Sequence, residues 1–288
     1  MSKSGAGSKQ SSLTILSVDH FPTWGVHGFS TRPGGVSNAY CGNALNLGFT
    51  REDTRDAVEH NRTTLLRELG CERWPLVTLR QVHSDVIHNV TRVSSAPLTG
   101  DGLVTDTSGI LLAVQTADCL PVLLLDVKHH AVGAFHAGWR GTLARIIEKG
   151  IGVMRRDFGT DPADIHAAIG PGIGVCCYEV GDEVRDKFAG QFPYAVALFQ
   201  EFENRDAVRE KYPLMFMNAR APGHGDPGHK LHLDLGEANL RQLLSAGVKE
   251  ENIRAVAMCT ACRQDLFFSY RVAKGPTGRQ LGLVGIRP

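Results

Sequence analysis

Histidine and cysteine side chains stand at three places where an apolar, strand-like run ends. His83 follows the run at residues 76–81, Cys119 lies between two apolar runs, and His136 follows the run at residues 131–135. Strand ends present functional groups on loops while the sheet holds them in place, so we expect these side chains to converge. Two imidazoles and one thiolate suit zinc, and three protein ligands leave the fourth tetrahedral position for water or substrate.

Spacing alone leaves this zinc site open, because separations of 36 and 17 residues match no local metal signature. A packed histidine or cysteine is the more common case at a strand end. The neighbouring residues favour function, since Asp118 precedes Cys119 and a Gly-Trp-Arg-Gly turn follows His136. A metal-free alternative also stays open, in which Cys119 and His136 act as a thiolate nucleophile and its base in amide or ester hydrolysis.

Helices and strands must hold these residues, and the hydrophobic pattern locates them. The clearest helix covers residues 53–69, with an apolar face and a stop at Gly70. Further helices are predicted at residues 142–158, 182–188 and 235–244. Strands are predicted at residues 13–18, 26–31, 76–81, 86–90, 102–105, 110–114, 120–126, 131–135, 253–258 and 267–270.

The central strands are continuous apolar runs rather than alternating ones. Residues 120–126 and 131–135 are therefore predicted to be buried on both faces, in a sheet covered on each side by another layer. No internal repeat and no low-complexity linker divides the chain. We expect one α/β domain over residues 12–288, a disordered tail at residues 1–11, and a long surface loop at about residues 201–230.

Composition excludes several classes of protein. Hydrophobic residues make up 42% and charged residues 21% of the chain, as in a folded globular protein. Lys+Arg 31 against Asp+Glu 30 leaves a net charge of +1, so no bulk field attracts nucleic acid or a membrane. We find neither a membrane-spanning run nor a secretory signal. Seven unevenly spaced cysteines then indicate a reducing compartment without disulfides, and we expect a cytoplasmic protein.

Three other segments are weaker candidates for chemistry. The glycine-rich residues 170–174 are predicted to form a tight turn rather than a phosphate-binding loop. The Cys259-x-x-Cys262 segment is half a zinc ribbon with no second CxxC, so we predict that it carries no metal. A third segment, a loop that contains His224, His229 and His232, could bind metal adventitiously.

Ordered short motifs run from the first strands nearly to the end of the chain. They lie at residues 30–37, 45–48, 81–84, 101–105, 115–122, 136–141, 168–174, 177–181, 233–235, 259–260, 267–271 and 277–279. In these motifs the chain resembles the YfiH-like, laccase-domain family, long labelled multicopper polyphenol oxidases and now associated with purine nucleoside phosphorylase activity. Two departures are visible: Val272 stands where the family usually has a second Arg, and Gly100 where it usually has Ala.

The resemblance implies a layered α-β-β-α sandwich with an internal pseudo-duplication, and zinc on His83, Cys119 and His136. It implies phosphorolysis of adenosine, inosine and S-methyl-5′-thioadenosine, and hydrolytic deamination of adenosine, with nucleosides and phosphate as the partners. Copper is the weaker choice of metal, because a laccase needs several coppers and the sequence lacks closely spaced His-x-His pairs. A non-catalytic binding role also stays open.

Several residues are predicted to assist this chemistry. Zinc deaminases move protons with a carboxylate that is not a ligand, so Asp118 or Glu179 is the predicted proton carrier beside Cys119. Arg32 lies in a glycine-rich loop whose amides could help its guanidinium hold phosphate, with a plain surface turn as the alternative. The remaining candidates for substrate or phosphate contacts are Asn46, Gln81 and Arg140.

Overall fold

The computed structural model of the protein describes residues 13–93, 96–203 and 229–288, so the predicted tail at residues 1–11 lies outside it. The helices are α1 (Arg55–Glu68), α2 (Trp139–Leu143), α3 (Ile146–Phe158), α4 (Asp182–Gln191), α5 (Leu235–Ser245) and α6 (Tyr270–Ala273). The strands are β1 (Ile15–Leu16), β2 (Gly25–Ser30), β3 (Pro33–Ser37), β4 (Leu76–Val77), β5 (Leu79–Arg80), β6 (Ile87–Asn89), β7 (Leu98–Thr99), β8 (Gly102–Thr105), β9 (Leu111–Thr116), β10 (Leu120–Asp126), β11 (Ala131–Ala137), β12 (Ile165–Ile169), β13 (Glu179–Val180), β14 (Phe199–Glu203), β15 (His229–Leu233), β16 (Ile253–Ala255) and β17 (Gln280–Ile286).

Two large sheets form the centre of the fold. One has five strands in the order β1-β2-β17-β9-β4, and the other has six in the order β16-β12-β10-β11-β8-β6. Most neighbouring strands are antiparallel, but β12 and β16 are parallel, so their carboxyl ends lie at the same edge. Two smaller sheets, β13-β15-β14 and β5-β7, flank this centre.

Hydrophobic cores separate four layers. Phe29 and Leu123 lie in the core between the two large sheets. Phe135 and Leu243 lie in the core between the six-stranded sheet and the helices α3, α4 and α5. Leu65 of α1 packs on the outer face of the five-stranded sheet. The predicted mixed α/β fold with α-β-β-α layers is therefore confirmed, while the internal pseudo-duplication stays a prediction.

The apolar run of β10 follows from its position between two cores. Val122 and Leu124 face the helices, whereas Leu123 and Leu125 face the other sheet. Successive side chains of a strand point to opposite faces, so a strand covered on both sides has no place for alternating polar residues. The sequence therefore predicts this strand correctly, as one buried on both faces.

The predicted strand at residues 267–270 is wrong. The Gln280 side chain accepts a hydrogen bond from the Phe268 N–H at 3.0 Å and donates one to its carbonyl at 3.2 Å. A side chain thus takes the place of a neighbouring strand. The next residue, Ser269, caps α6 with its hydroxyl, which accepts a hydrogen bond from the Val272 N–H.

Other predicted elements are divided or shifted. The single strand at residues 76–81 is β4 and β5, which belong to different sheets. The helix at residues 142–158 is α2 and α3, because Arg145 between them has a left-handed φ of 62°. Strands β14 and β15 pair with each other and take up both ends of the predicted loop at residues 201–230. His229 and His232 both lie in β15, and His224 lies outside the described residues. Within the described ranges, no helix is long and apolar enough to cross a membrane.

Candidate functional site

Two loops and the end of strand β11 bring His83, Cys119 and His136 together at one edge of the sheets. Cys119 directly precedes β10, and in the neighbouring strand β11 His136 lies opposite Pro121. His83 follows β5, and its Nε2 lies 3.8 Å from the Cys119 Sγ. One ligand atom from each of the three residues lies within 4.8 Å of the others. These residues, called the donor set below, could hold one metal ion.

The backbone around the donor set is tightly constrained. His83 and Asp118 have φ values of 59° and 97°, in a region that non-glycine residues rarely adopt and that costs roughly 1–3 kcal/mol. A Cβ on Gly138 would lie 2.9 Å from the Cys119 Sγ and 3.0 Å from the His83 Cδ2. The donors therefore crowd against a glycine backbone, in a cradle that fits a small ion held by side chains.

A buried carboxylate, Asp101, positions two of the donors. Its Oδ1 accepts hydrogen bonds from the His83 N–H at 3.0 Å and from the His136 Nδ1 at 2.8 Å. Its Oδ2 accepts from the N–H groups of Val82 and Ser84 and from the Ser84 hydroxyl. Burial would raise the pKa of Asp101, but these hydrogen bonds hold it well below its usual value. With Nδ1 donating to this carboxylate, His136 presents Nε2 to the site, as metal-binding histidines do.

The charges of the donor set favour a thiolate. Burial favours the neutral thiol, but His136 and His83 outweigh burial and lower the pKa of Cys119 to about 6. Burial likewise disfavours the imidazolium, but the Cys119 thiolate and Asp101 raise the pKa of His136 to about 9. A thiolate is both the form that binds a metal and the form that acts as a nucleophile, so these charges suit either chemistry.

The donor set lies in the wall of a cavity of about 670 Å³, a size typical of small-molecule sites. Among the described residues, no carboxylate forms an ion pair with the arginines that line this cavity. Guanidinium groups without a carboxylate partner suit an anion, and aromatic rings beside them suit a flat organic molecule, although the Arg279 guanidinium also donates to the Thr277 and Gly278 carbonyls. The arginines are Arg80, Arg140, Arg271 and Arg279, and the aromatic residues are Trp139, Tyr178 and Tyr270.

Two predicted site residues line the cavity but use their polar atoms within the protein. The buried Asp118 carboxylate accepts hydrogen bonds from the Thr260 hydroxyl and the Arg271 N–H, both at 2.7 Å. The Gln81 side chain donates to the Gln115 carbonyl at 2.8 Å and accepts from the Gln115 N–H at 2.7 Å. Both residues therefore shape the cavity wall. Each oxygen of Asp118 already accepts a hydrogen bond.

Arg140 is the predicted substrate contact that the structure places best. Its guanidinium lies in the cavity wall, 4.4 Å from the centre of the Trp139 ring. Arg32 does not line this cavity but lines two others, and its guanidinium donates to the carbonyls of Tyr40 and Gln264, both at 3.0 Å.

Asn46 and Glu179 also lie outside the cavity. Asn46 is fully buried, and its side-chain oxygen accepts a hydrogen bond from the Arg279 N–H at 2.9 Å. It therefore positions a residue that lines the cavity. Glu179 is exposed, pairs with Lys230 at 3.0 Å and lines a different cavity. The structure thus does not bring Glu179 to the donor set.

Several residues that shape the cavity or the donor set escaped the sequence-based predictions. Arg271, Arg279 and Tyr178 converge on the cavity from separate segments, and their only signal is that each lies in a motif shared with the family. Asp101 also lies in such a motif. Nothing local in the sequence marks it as a carboxylate that accepts five hydrogen bonds.

Fold and site together define an α/β sandwich protein with a His-Cys-His donor set in an arginine-lined cavity. The family described as multi-copper polyphenol oxidoreductase laccase matches residues 26–287. The chain belongs to this family, as the resemblance to YfiH-like proteins predicted.

Named relatives cover nearly the whole chain. A protein named purine nucleoside phosphorylase YlmD, from Geobacillus stearothermophilus, is 36% identical over 273 residues, 91% of this chain and 90% of the relative. A Deinococcus radiodurans protein named purine nucleoside phosphorylase is 37% identical over 264 residues, 90% of this chain and 88% of the relative.

Solved structures agree with the fold. The crystal structure of YlmD from Geobacillus stearothermophilus has a TM-score of 0.75 at 34% identity, covering 92% of this chain and 93% of that one. The crystal structure of the hypothetical protein YfiH from Bacillus licheniformis has a TM-score of 0.76 at 32% identity, covering 91% of this chain and 93% of that one.

Proposed function

We propose that this chain is a zinc-dependent purine nucleoside phosphorylase that acts on adenosine, inosine and S-methyl-5′-thioadenosine and also deaminates adenosine. The observation that carries the proposal is a single cavity that joins the donor set to four arginines without carboxylate partners among the described residues. Phosphorolysis requires phosphate and nucleoside side by side. The arginines suit phosphate, and the aromatic residues suit the nucleoside. The relatives named purine nucleoside phosphorylase support this combination of substrates.

Zinc is the metal that the donor chemistry favours. Two imidazole nitrogens and one thiolate are common zinc ligands and leave one tetrahedral position open. Within the described ranges, the donor set is the only metal-binding group that contains histidines, whereas a multicopper oxidase would need further copper sites nearby. When bound, the metal would supply a positive charge that polarises an oxygen or lowers the pKa of a water molecule.

The residues of the chain account for binding and orientation. The guanidinium groups of Arg140, Arg271 and Arg279 would hold phosphate by charge-assisted hydrogen bonds. Phosphorolysis then forms a bond from a phosphate oxygen to C1′ while the bond from C1′ to the purine nitrogen breaks, and the proton of hydrogen phosphate ends on that nitrogen. Tyr178 lines the same cavity and would donate a hydrogen bond from its hydroxyl to a purine nitrogen; burial raises its pKa well above the usual value, which keeps the hydroxyl neutral.

A metal-free thiol hydrolase is the second candidate, and the thiolate–imidazolium pair favours it. The depressed pKa of Cys119 and the raised pKa of His136 are those of an activated nucleophile and its partner. The two candidates differ in what a chelator does. A zinc enzyme loses its activity on chelation, whereas a thiol hydrolase keeps it and is blocked by a thiol reagent.

The deciding experiment incubates protein of known metal content with adenosine, with and without phosphate, and separates adenine from inosine by chromatography. We expect adenine only when phosphate is present, inosine without phosphate, and inosine together with the hypoxanthine formed from it when phosphate is present. Chelation should abolish all of these products, and added zinc should restore them. Hydrolysis of esters or amides that survives chelation and fails after alkylation would support the thiol hydrolase.

Two variants locate the phosphate site. Arg271→Gln removes a cavity cation and should raise the phosphate KM at least about tenfold, since a hydrogen bond to a charged group is worth roughly 1.5–3 kcal/mol. Arg32→Gln is the matched control, because Arg32 lies outside this cavity. The opposite pattern would return the phosphate site to Arg32.

A further inference from the structure

Four cysteines from two distant segments meet near the cavity. Cys176 and Cys177 lie in the turns that follow β12, and Cys259 and Cys262 lie in the turns that follow β16. Strands β12 and β16 are parallel neighbours, and a bridge between Gly172 and Cys259 extends their pairing. The topology therefore brings both segments to the same edge of the sheet. These residues are called the four-cysteine cluster below.

The spacing of the sulfur atoms suits one tetrahedral ion. All four lie within 4.8 Å of one another. The Cys262 Sγ lies 3.6 Å from that of Cys176 and 3.4 Å from that of Cys177. Four sulfurs at about 2.3 Å from a zinc ion would be about 3.8 Å apart, because that is the edge of the tetrahedron. A closed set of four thiolates is typical of a structural site rather than a catalytic one.

The surroundings of the four-cysteine cluster are those of a ligand shell. The Gly174 N–H donates to the Cys259 Sγ at 3.2 Å, and a Cβ on Gly174 would lie 3.3 Å from the Cys176 Sγ. Hydrogen bonds of this kind orient the ligands of a bound metal ion.

The four-cysteine cluster lies directly behind the cavity wall. Tyr178, which lines the cavity, is the residue after Cys177, and the Arg271 guanidinium lies 3.5 Å from the Cys177 carbonyl. Thr260, the residue after Cys259, donates its hydroxyl to Asp118. An ion at the cluster would therefore fix two segments whose neighbouring residues shape the cavity.

We propose that the four-cysteine cluster binds a second zinc ion, which has a structural role and is separate from the donor set. The sequence alone predicts no metal at Cys259 and Cys262 because half of the ligands come from a segment 83 residues away. Soft thiolates in a tetrahedral set favour zinc, and the short distances among all four sulfurs favour a single ion.

The test measures zinc in the full chain, purified under reducing conditions, by elemental mass spectrometry and by X-ray absorption at the zinc edge. The decisive variant is His83→Ala/His136→Ala, which removes two ligands of the donor set and leaves the four-cysteine cluster intact. We expect about one zinc per chain in this variant, with four sulfur neighbours. This readout does not depend on the donor set, so failure of the proposed function would not change it.

Further variants identify the ligands. Cys262→Ser should lose one zinc relative to the unmodified chain, whereas Cys41→Ser, which changes an exposed cysteine outside the cluster, should lose none. If Cys262→Ser does not fold, the histidine variant still decides the question. No zinc in the histidine variant, iron in place of zinc, or cluster thiols released by reductant rather than by chelator would each overturn the proposal.

Discussion

Asp101→Asn should weaken metal binding without changing any ligand of the donor set. The carboxylate fixes the His136 ring by accepting from Nδ1 and fixes the backbone of His83 by accepting from its N–H. Asparagine has nearly the same shape but only one accepting oxygen, and its amide nitrogen is a donor. The variant therefore loses the hydrogen bonds accepted by one of the two carboxylate oxygens, either those of Oδ1 or those of Oδ2.

The expected magnitude follows from the two ways in which the amide can be placed. If its nitrogen replaces Oδ1, the His83 N–H loses its acceptor and His136 must switch tautomer, which puts the proton on Nε2. If the amide nitrogen replaces Oδ2, the N–H groups of Val82 and Ser84 lose their acceptor. Each buried donor left unpaired costs roughly 1–3 kcal/mol. Loss of such a supporting group typically costs about 10–100-fold in metal affinity.

The assay compares zinc affinity, measured by competition with a chromophoric chelator, with the stability of the metal-free protein in urea. Asp126→Asn is the matched control, since Asp126 is equally buried and its Oδ2 lies 2.9 Å from a histidine Nδ1, that of His129, away from the cavity. Both variants should lose stability, and only Asp101→Asn should lose zinc affinity. Equal zinc affinity in the two variants would refute this reasoning.

Two more predictions concern packing and pH. Gly138→Ala places a methyl group against the Cys119 Sγ and the His83 ring, so zinc should bind more weakly by at least about tenfold, which the same competition assay measures. Burial lowers the pKa of His27 from 6.5 to about 4, so the unfolded chain binds the proton first as the pH falls. Stability should therefore be complete above pH 6.5 and fall by up to about 3 kcal/mol towards pH 4. Urea unfolding should show a smaller decrease in His27→Gln; an unchanged decrease would exclude this cause.

Elements with a simple burial pattern were predictable from the sequence. Strand β10 lies between two cores, and α1 has one apolar face ending near Gly70, so each has a pattern that local reasoning can read. The prediction failed where a distant side chain takes over a backbone partner, as Gln280 does for Phe268. It also failed at Arg145, whose left-handed backbone divides a helix without a glycine or proline to mark the break.

The donor set was easier to predict than the cavity around it. Cys119 and His136 flank the hairpin of β10 and β11, so their proximity follows from strand pairing over a short stretch of chain. Arg271 and Arg279 reach the cavity only through the packing of the C-terminal segment, which no local pattern encodes. The four-cysteine cluster depends in the same way on the parallel pairing of β12 with β16.

The surroundings of Asp118 bear on which reaction the cavity favours. Its carboxylate accepts from the Thr260 hydroxyl and the Arg271 N–H, and its carbonyl accepts from the Ile173 N–H at 2.7 Å. It therefore ties the segment that carries Cys119 to two residues of the cavity wall, Ile173 and Arg271, and to Thr260 behind them, which is the work of a positioning residue. The arginine-lined cavity therefore supports the proposed phosphorolysis more directly than the proposed deamination, for which a separate proton carrier is needed.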